Sequence, residues 1–279
     1  MGLRRISLVT LVIMTAAGLG GCPQPGDTNP PPPTVTLSAA QSAAVDSAAA
    51  QLTAFASLLG TFSELASSQL SLDSLPTLEL IGDCPRISIA TDGVKAFFIF
   101  NFAEGCISSQ TGGRTVSGKL NIDITDITGT AGETAITSLD LAIDGQAISG
   151  VLDFTLTRDG DTITLAGEIT ETVEISGVGS VTGSLTVKIA SSGVITITTA
   201  NLTFNDGSTS QSVTLTDVVI DPVGNGNFVP QSGTASFSLS EGDATTTLVV
   251  TFNANTPTDG SVDVAVGTTG SASHTIPVP

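Results

Sequence analysis

The sequence predicts a mainly β protein: a long-stranded antiparallel meander forming a curved sheet or barrel, with one N-terminal amphipathic helix packed on its apolar face. Three observations predict it. Beyond Leu72, apolar and polar residues alternate with period two, as at Val116, Gly118, Leu120, Ile122 and Ile124 against Ser117, Lys119, Asn121, Asp123 and Thr125. Such strands are dry on one face and wet on the other. A phrase recurs in phase, Val116-Ser-Gly-Lys-Leu, Ile148-Ser-Gly-Val-Leu, Leu165-Ala-Gly-Glu-Ile and Val181-Thr-Gly-Ser-Leu, with echoes around Ala200 and Gly233. Its centres stand at 118, 150, 167, 183, 200 and 233, a unit of sixteen or seventeen residues with two echoes skipped, which fits one long strand and one turn. Turn signals fall between the strands at Asp144-Gly145, Asp159-Gly160, Ser192-Gly193, Asp206-Gly207, Gly242-Asp243 and Asp259-Gly260.

The long alternation selects a meander over a β-solenoid, whose strands are short. A membrane barrel needs an apolar outer band with Tyr and Trp girdles, and the chain has neither residue. The glycine inside each repeated strand is expected either to relieve a bend where the sheet curls or to accept the close approach of the helix.

At the N-terminus, residues 1–21 read as an export signal. Arg4 and Arg5 precede an apolar stretch, Ile6 to Ala17, that is too short to span a bilayer. Residues 22–37 read as a tether: Pro23, Pro25 and the run Pro30 to Pro33 favour a stiff polyproline II spacer. Residues 38–279 then read as a single β-rich domain that opens with a helix over 38–72. In that helix Val45, Ala48, Leu52, Phe55, Leu59, Phe62 and Ala66 form one face, and Leu58, Leu65 and Leu72 add a second stripe. More than half the girth is therefore apolar and needs a large partner surface. Gly60 lowers helix propensity by about 1 kcal/mol and marks a break or a close packing point. Few charges flank the seam, which favours packing on the chain's own sheet over a coiled coil.

Charge and composition exclude several functions. Lys and Arg total 8 against 26 Asp and Glu, a net charge of −18, which disfavours nucleic acid as a partner. A single histidine, His274, leaves little material for imidazole catalysis or multi-His metal sites, and its place in a terminal strand reads as surface. Ser and Thr are abundant without a GxSxG elbow or an SxxK motif. Glu168, Glu171 and Glu174 crowd one strand, but alternation puts Glu171 on the opposite face from the other two, at an inward-phase position that calls for a partner or a bulge. The loop Asp221 to Asn227 is the densest set of oxygen ligands, and it reads as turn chemistry because it lacks the spacing of a calcium loop. No catalytic residue, cofactor or metal site is expected, and the chain is not expected to be an enzyme.

The run Leu19-Gly20-Gly21-Cys22 resembles the lipobox of bacterial lipoproteins. The resemblance implies that the Cys22 thiol is diacylglycerated, that the signal is cut before it and that the new amino group is acylated by a palmitate-like chain; these chains anchor the body to a lipid bilayer. Loss of Arg4 and Arg5 would leave 6 basic and 26 acidic residues, a charge of −20. Pro23 after the cysteine, where enteric bacteria use Asp for inner-membrane retention, implies the outer membrane of the cell envelope. With Cys22 acylated, Cys84 and Cys106 remain as an even pair in an oxidising compartment, which suggests a disulfide. They flank a hairpin of Ile87–Ile89 and Phe97–Phe102 around Asp92-Gly93, and closing that loop contributes about 3 kcal/mol. The block Cys84-Pro85, Phe100-Asn101-Phe102, Gly105-Cys106 and Gly113-Arg114-Thr115-Val116-Ser117-Gly118-Lys119 resembles a segment of uncharacterised bacterial envelope lipoproteins. That group implies a β-rich body and carries no activity. The expected role is structural or interactive, with an envelope protein as partner; the alternative is a carrier that holds a hydrophobic ligand on the concave face of the sheet.

Overall fold

The computed structural model describes residues 33–61, 85–91, 95–107, 114–124, 133–160, 162–207, 210–241 and 244–278. Among them, one helix, Ala39–Thr61 (α1), precedes thirteen strands. These are Arg86–Thr91 (β1), Ala96–Ile107 (β2), Thr115–Ile124 (β3), Glu133–Ile143 (β4), Gln146–Asp159 (β5), Thr162–Ile175 (β6) and Gly179–Ala190 (β7). Ile195–Asn205 (β8), Ser210–Ile220 (β9), Ser232–Glu241 (β10), Ala244–Phe252 (β11), Ser261–Val266 (β12) and Gly270–Thr275 (β13) follow. Each strand pairs antiparallel with the next, so the predicted meander is the observed fold. β1 and β13 stand at the two ends of this order. Two short helices interrupt the later turns, Pro222–Asn225 (α2) and Thr256–Asp259 (α3), and each ends on a left-handed glycine, Gly226 or Gly260. Asp259-Gly260 therefore closes a helical turn rather than a two-residue hairpin.

The repeated phrases lie in β3, β5, β6 and β7, with the echoes in β8 and β10. Their inward residues, among them Val116, Leu120, Leu152, Phe154, Leu165, Val181 and Leu185, belong to one hydrophobic core that joins strands β1 to β12 and α1. A helix about 10 Å wide spans only two or three strands spaced about 4.8 Å apart. One helix and twelve strands can share a single core only if the sheet curls its inner face around the helix.

The outer face is hydroxyl-rich. Thr155, Ala166, Thr186, Thr199, Thr216, Thr234 and Thr251 stand in register across seven adjacent strands, β5 to β11. Threonine combines strand propensity with a solvated hydroxyl, which suits a pleated wall wet on one side. Exceptions cluster on β2, where Phe97 and Ile99 are 37% and 40% exposed.

The in-strand glycines answer to the neighbouring strand, not to the helix. At Gly118 (φ +93°) a Cβ would sit 2.2 Å from the Asp140 carbonyl oxygen of β4, and at Gly183 (φ +131°) it would sit 2.1 Å from the Asn201 carbonyl oxygen of β8. The pairing register shifts at Gly233 and between Ser149 and Asp153, which brackets Gly150. The repeat thus marks points where adjacent backbones close up and the sheet bends, the first of the two predicted roles.

Candidate functional site

The interior of the curled sheet is occupied by α1. Ser38 caps it reciprocally: the Gln41 N–H donates to Ser38 Oγ (3.1 Å), and the Ser38 N–H donates to Gln41 Oε1 (2.9 Å). Ser-Ala-Ala-Gln is a capping box, a start signal that periodicity alone does not read. The first half of the helix buries one face. In the second half Leu52, Phe55, Ala56, Leu58 and Leu59 are all buried, and so are the polar Gln51 and Ser57. Amphipathicity is therefore confined to the first half, and enclosure on all sides accounts for the apolar girth of the second. Residues 62–72 of the predicted helix lie outside the described residues.

Two polar junctions fix the helix. Toward its C-terminal end, Arg114 Nη1 donates to Ser57 Oγ (2.7 Å), and Ser57 Oγ in turn donates to the Thr53 carbonyl (2.8 Å). The same guanidinium lies 5.3 Å over the Phe228 ring, and its Nε is 3.4 Å from Asp144 Oδ2. Arg114 thus joins the helix, the β4–β5 turn and the loop before β10. Gly60 stands against Phe228 where no Cβ fits, so it marks a close packing point.

Nearer the other end, His274 Nε2 lies 2.8 Å from Asp46 Oδ1. The histidine side chain is only 17% exposed, which corrects the surface assignment: on the same side of β13 as buried Ala272, it clasps the helix. An imidazole oriented by a carboxylate supplies two of the three members of a hydrolytic triad. Among the described residues its ring makes no hydrogen bond to a hydroxyl.

The other sequence candidates do not converge. Glu168 and Glu174 are exposed, and Glu171 falls in the register shift between Ile169 and Val173. A bulge at Glu171 meets the sequence expectation; its side chain lies outside the described residues. In the Asp221 to Asn227 loop the oxygen ligands serve the loop itself: Asp221 Oδ1 accepts from the Gly224 N–H (2.7 Å) and Asn227 Oδ1 from the Val229 N–H (3.0 Å). No cluster of three metal-ligating side chains occurs among the described residues. An open cleft of about 520 Å³ lies at the β6–β7 turn, lined by two hydroxyls and two carboxylates, those of Ser149, Ser176, Glu174 and Asp206. Cys106 is buried in β2, whereas Cys84 and Cys22 lie outside the described residues. No described helix is long and apolar enough to cross a membrane.

The arrangement defines a class by fold alone: a helix-filled antiparallel β-meander. Comparison with known proteins adds no relative, since no family model, curated protein or solved structure matches the chain.

Proposed function

We propose that this chain is a lipid-anchored protein of the bacterial cell envelope, most plainly of the outer membrane, and that its β body serves as a structural or interaction scaffold. The observation that carries the scaffold role is the filled interior: Leu52, Phe55, Leu58 and Leu59 occupy the concave face that a hydrophobic ligand would need. A carrier would have to displace a helix whose large side chains each contribute about 1.5–3 kcal/mol by burial. The anchor reading rests on the order of Arg4, Arg5, the apolar stretch and Leu19-Gly20-Gly21-Cys22. Acyl chains on Cys22 would suffice for stable attachment. A disulfide between Cys106 and Cys84 belongs to the same reading, because diacylglyceration of the Cys22 sulfur removes it from the pool of thiols.

Growth of a bacterial host with an alkyne-bearing palmitate analogue tests the anchor. The chain should take up the label and fractionate with membranes, and Cys22→Ser should abolish both. Label retained by the Cys22→Ser chain would refute the assignment.

A further inference from the structure

The sheet does not end at β13. The Val35 N–H donates to the Ser271 carbonyl (2.9 Å) and the Ser271 N–H donates to the Pro33 carbonyl (3.2 Å), so Thr34 forms a parallel bridge on the outer edge of the last strand. Gly270 makes room for it: at φ +156°, a Cβ there would lie 2.2 Å from the Pro33 carbonyl oxygen and 2.8 Å from Val35 Cγ1. Val35 and Leu37 pack against the core. The compact unit accordingly begins at Pro33, inside the predicted 22–37 tether. Three residues beyond Ser271, the Asp46–His274 contact fastens the following helix to the same strand.

We propose that Pro33–Leu37 is a strap that seats the N-terminal segment on the β13 edge, so that a lipid surface holding Cys22 meets the body on the side of the β12–β13 turn. The proposal rests on the lipid-anchor reading. Because the strap runs parallel to β13, its N-terminal end lies at Gly270, beside the turn Gly267–Thr269. Eleven residue steps separate Cys22 from Pro33, which limits the bilayer to within about 40 Å of the Ser271 backbone even at full extension. The mature charge of −20 works against adhesion of any face to anionic headgroups, which leaves the strap to set orientation.

The chain contains no Trp, so one introduced Trp is an unambiguous fluorophore. Thr268, in the β12–β13 turn, and Thr258, in α3 at the other end of the β12–β13 hairpin, are both exposed. The six-residue strands between them span about 20 Å. Thr268→Trp and Thr258→Trp would each be made in the full lipidated chain. Both would be reconstituted in phosphatidylcholine vesicles containing dansyl-phosphatidylethanolamine. Energy transfer should be about twofold or more greater from position 268, given that separation. Equal or reversed transfer from chains that co-sediment with the vesicles would overturn the strap orientation alone. Failure of either chain to co-sediment would overturn the anchor reading, and the proposal with it. Amide exchange in the unsubstituted chain gives a second test. Val35 and Ser271 should exchange about tenfold or more slowly than free amides, and free exchange at Val35 would refute the strap.

Discussion

Gly60 of α1 and Phe228 of the loop before β10 meet with no room for a methyl group between them: a Cβ at Gly60 would lie 2.4 Å from Phe228 Cε1. Helix propensity alone would make Gly60→Ala stabilising by about 1 kcal/mol. The clash should outweigh it and leave a net loss of about 1–2 kcal/mol in urea denaturation. Gly60→Ala combined with Phe228→Leu should lose less than the sum of the two single changes, because the second relieves the first. Full additivity would show that the contact is not made.

Arg114 and Ser57 should be coupled. Ser57→Ala removes a hydroxyl that both accepts from the guanidinium and donates to Thr53, and should cost about 1 kcal/mol. Arg114→Ala should cost more, about 2 kcal/mol, because it also uncovers Phe228. The Asp144 partner is half exposed and adds little. A double-mutant cycle should return a coupling of about 0.5 kcal/mol or more, and a value near zero would contradict the junction.

Two glycines with positive φ should respond differently. Gly145 (φ +81°) has nothing within 4 Å of its missing Cβ, so Gly145→Ala should cost only the left-handed backbone term, about 1–2 kcal/mol. At Gly183 (φ +131°) a Cβ would lie 2.1 Å from the Asn201 carbonyl oxygen. Gly183→Ala should therefore cost about 3 kcal/mol or more, or prevent folding, since two paired strands must separate. Equal costs in thermal denaturation would remove the close-approach account of the repeat.

Acid should act on the α3–β12 junction. The Ser261 hydroxyl, and then the Ser261 N–H at 2.8 Å, hold the carboxyl of solvent-exposed Asp259 below its ordinary value. A carboxyl lowered on folding contributes stability above its unfolded pKa and loses that contribution as pH falls through the folded value. Asp259→Asn should thus be less stable than the parent chain near neutrality, with the difference shrinking below about pH 4. A difference that grows on acidification would reverse the assignment.

Much of this fold was legible because one physical signal dominated it. Period-two alternation at Val116–Ile124 and Val181–Ile189 placed the dry face, and the Asp-Gly pairs placed turns, as at Asp144-Gly145 and Asp159-Gly160. What was not legible depends on partners distant in sequence. Pro33–Val35 reads locally as polyproline spacer, yet its backbone groups find Ser271 more than two hundred residues on. His274 reads as a surface residue until the curl of the sheet brings Asp46 to it. Arg114 is legible only within the block resembling envelope lipoproteins, and its contacts with Ser57 and Phe228 cross from the residue before β3 to the helix and a loop. The capping box at Ser38 is a local signal that periodicity does not read, since it lies where the apolar pattern has not yet begun.

If α1 fills the space a ligand would take, nothing should co-purify with the body. Native mass spectrometry of the Cys22→Ser chain, exported to an oxidising envelope and extracted with organic solvent, should show a single ligand-free species, two hydrogens lighter than the reduced chain for the Cys84–Cys106 bridge, with no lipid in the extract. A stoichiometric acyl ligand would contradict it and make the concave face a binding site that the helix vacates.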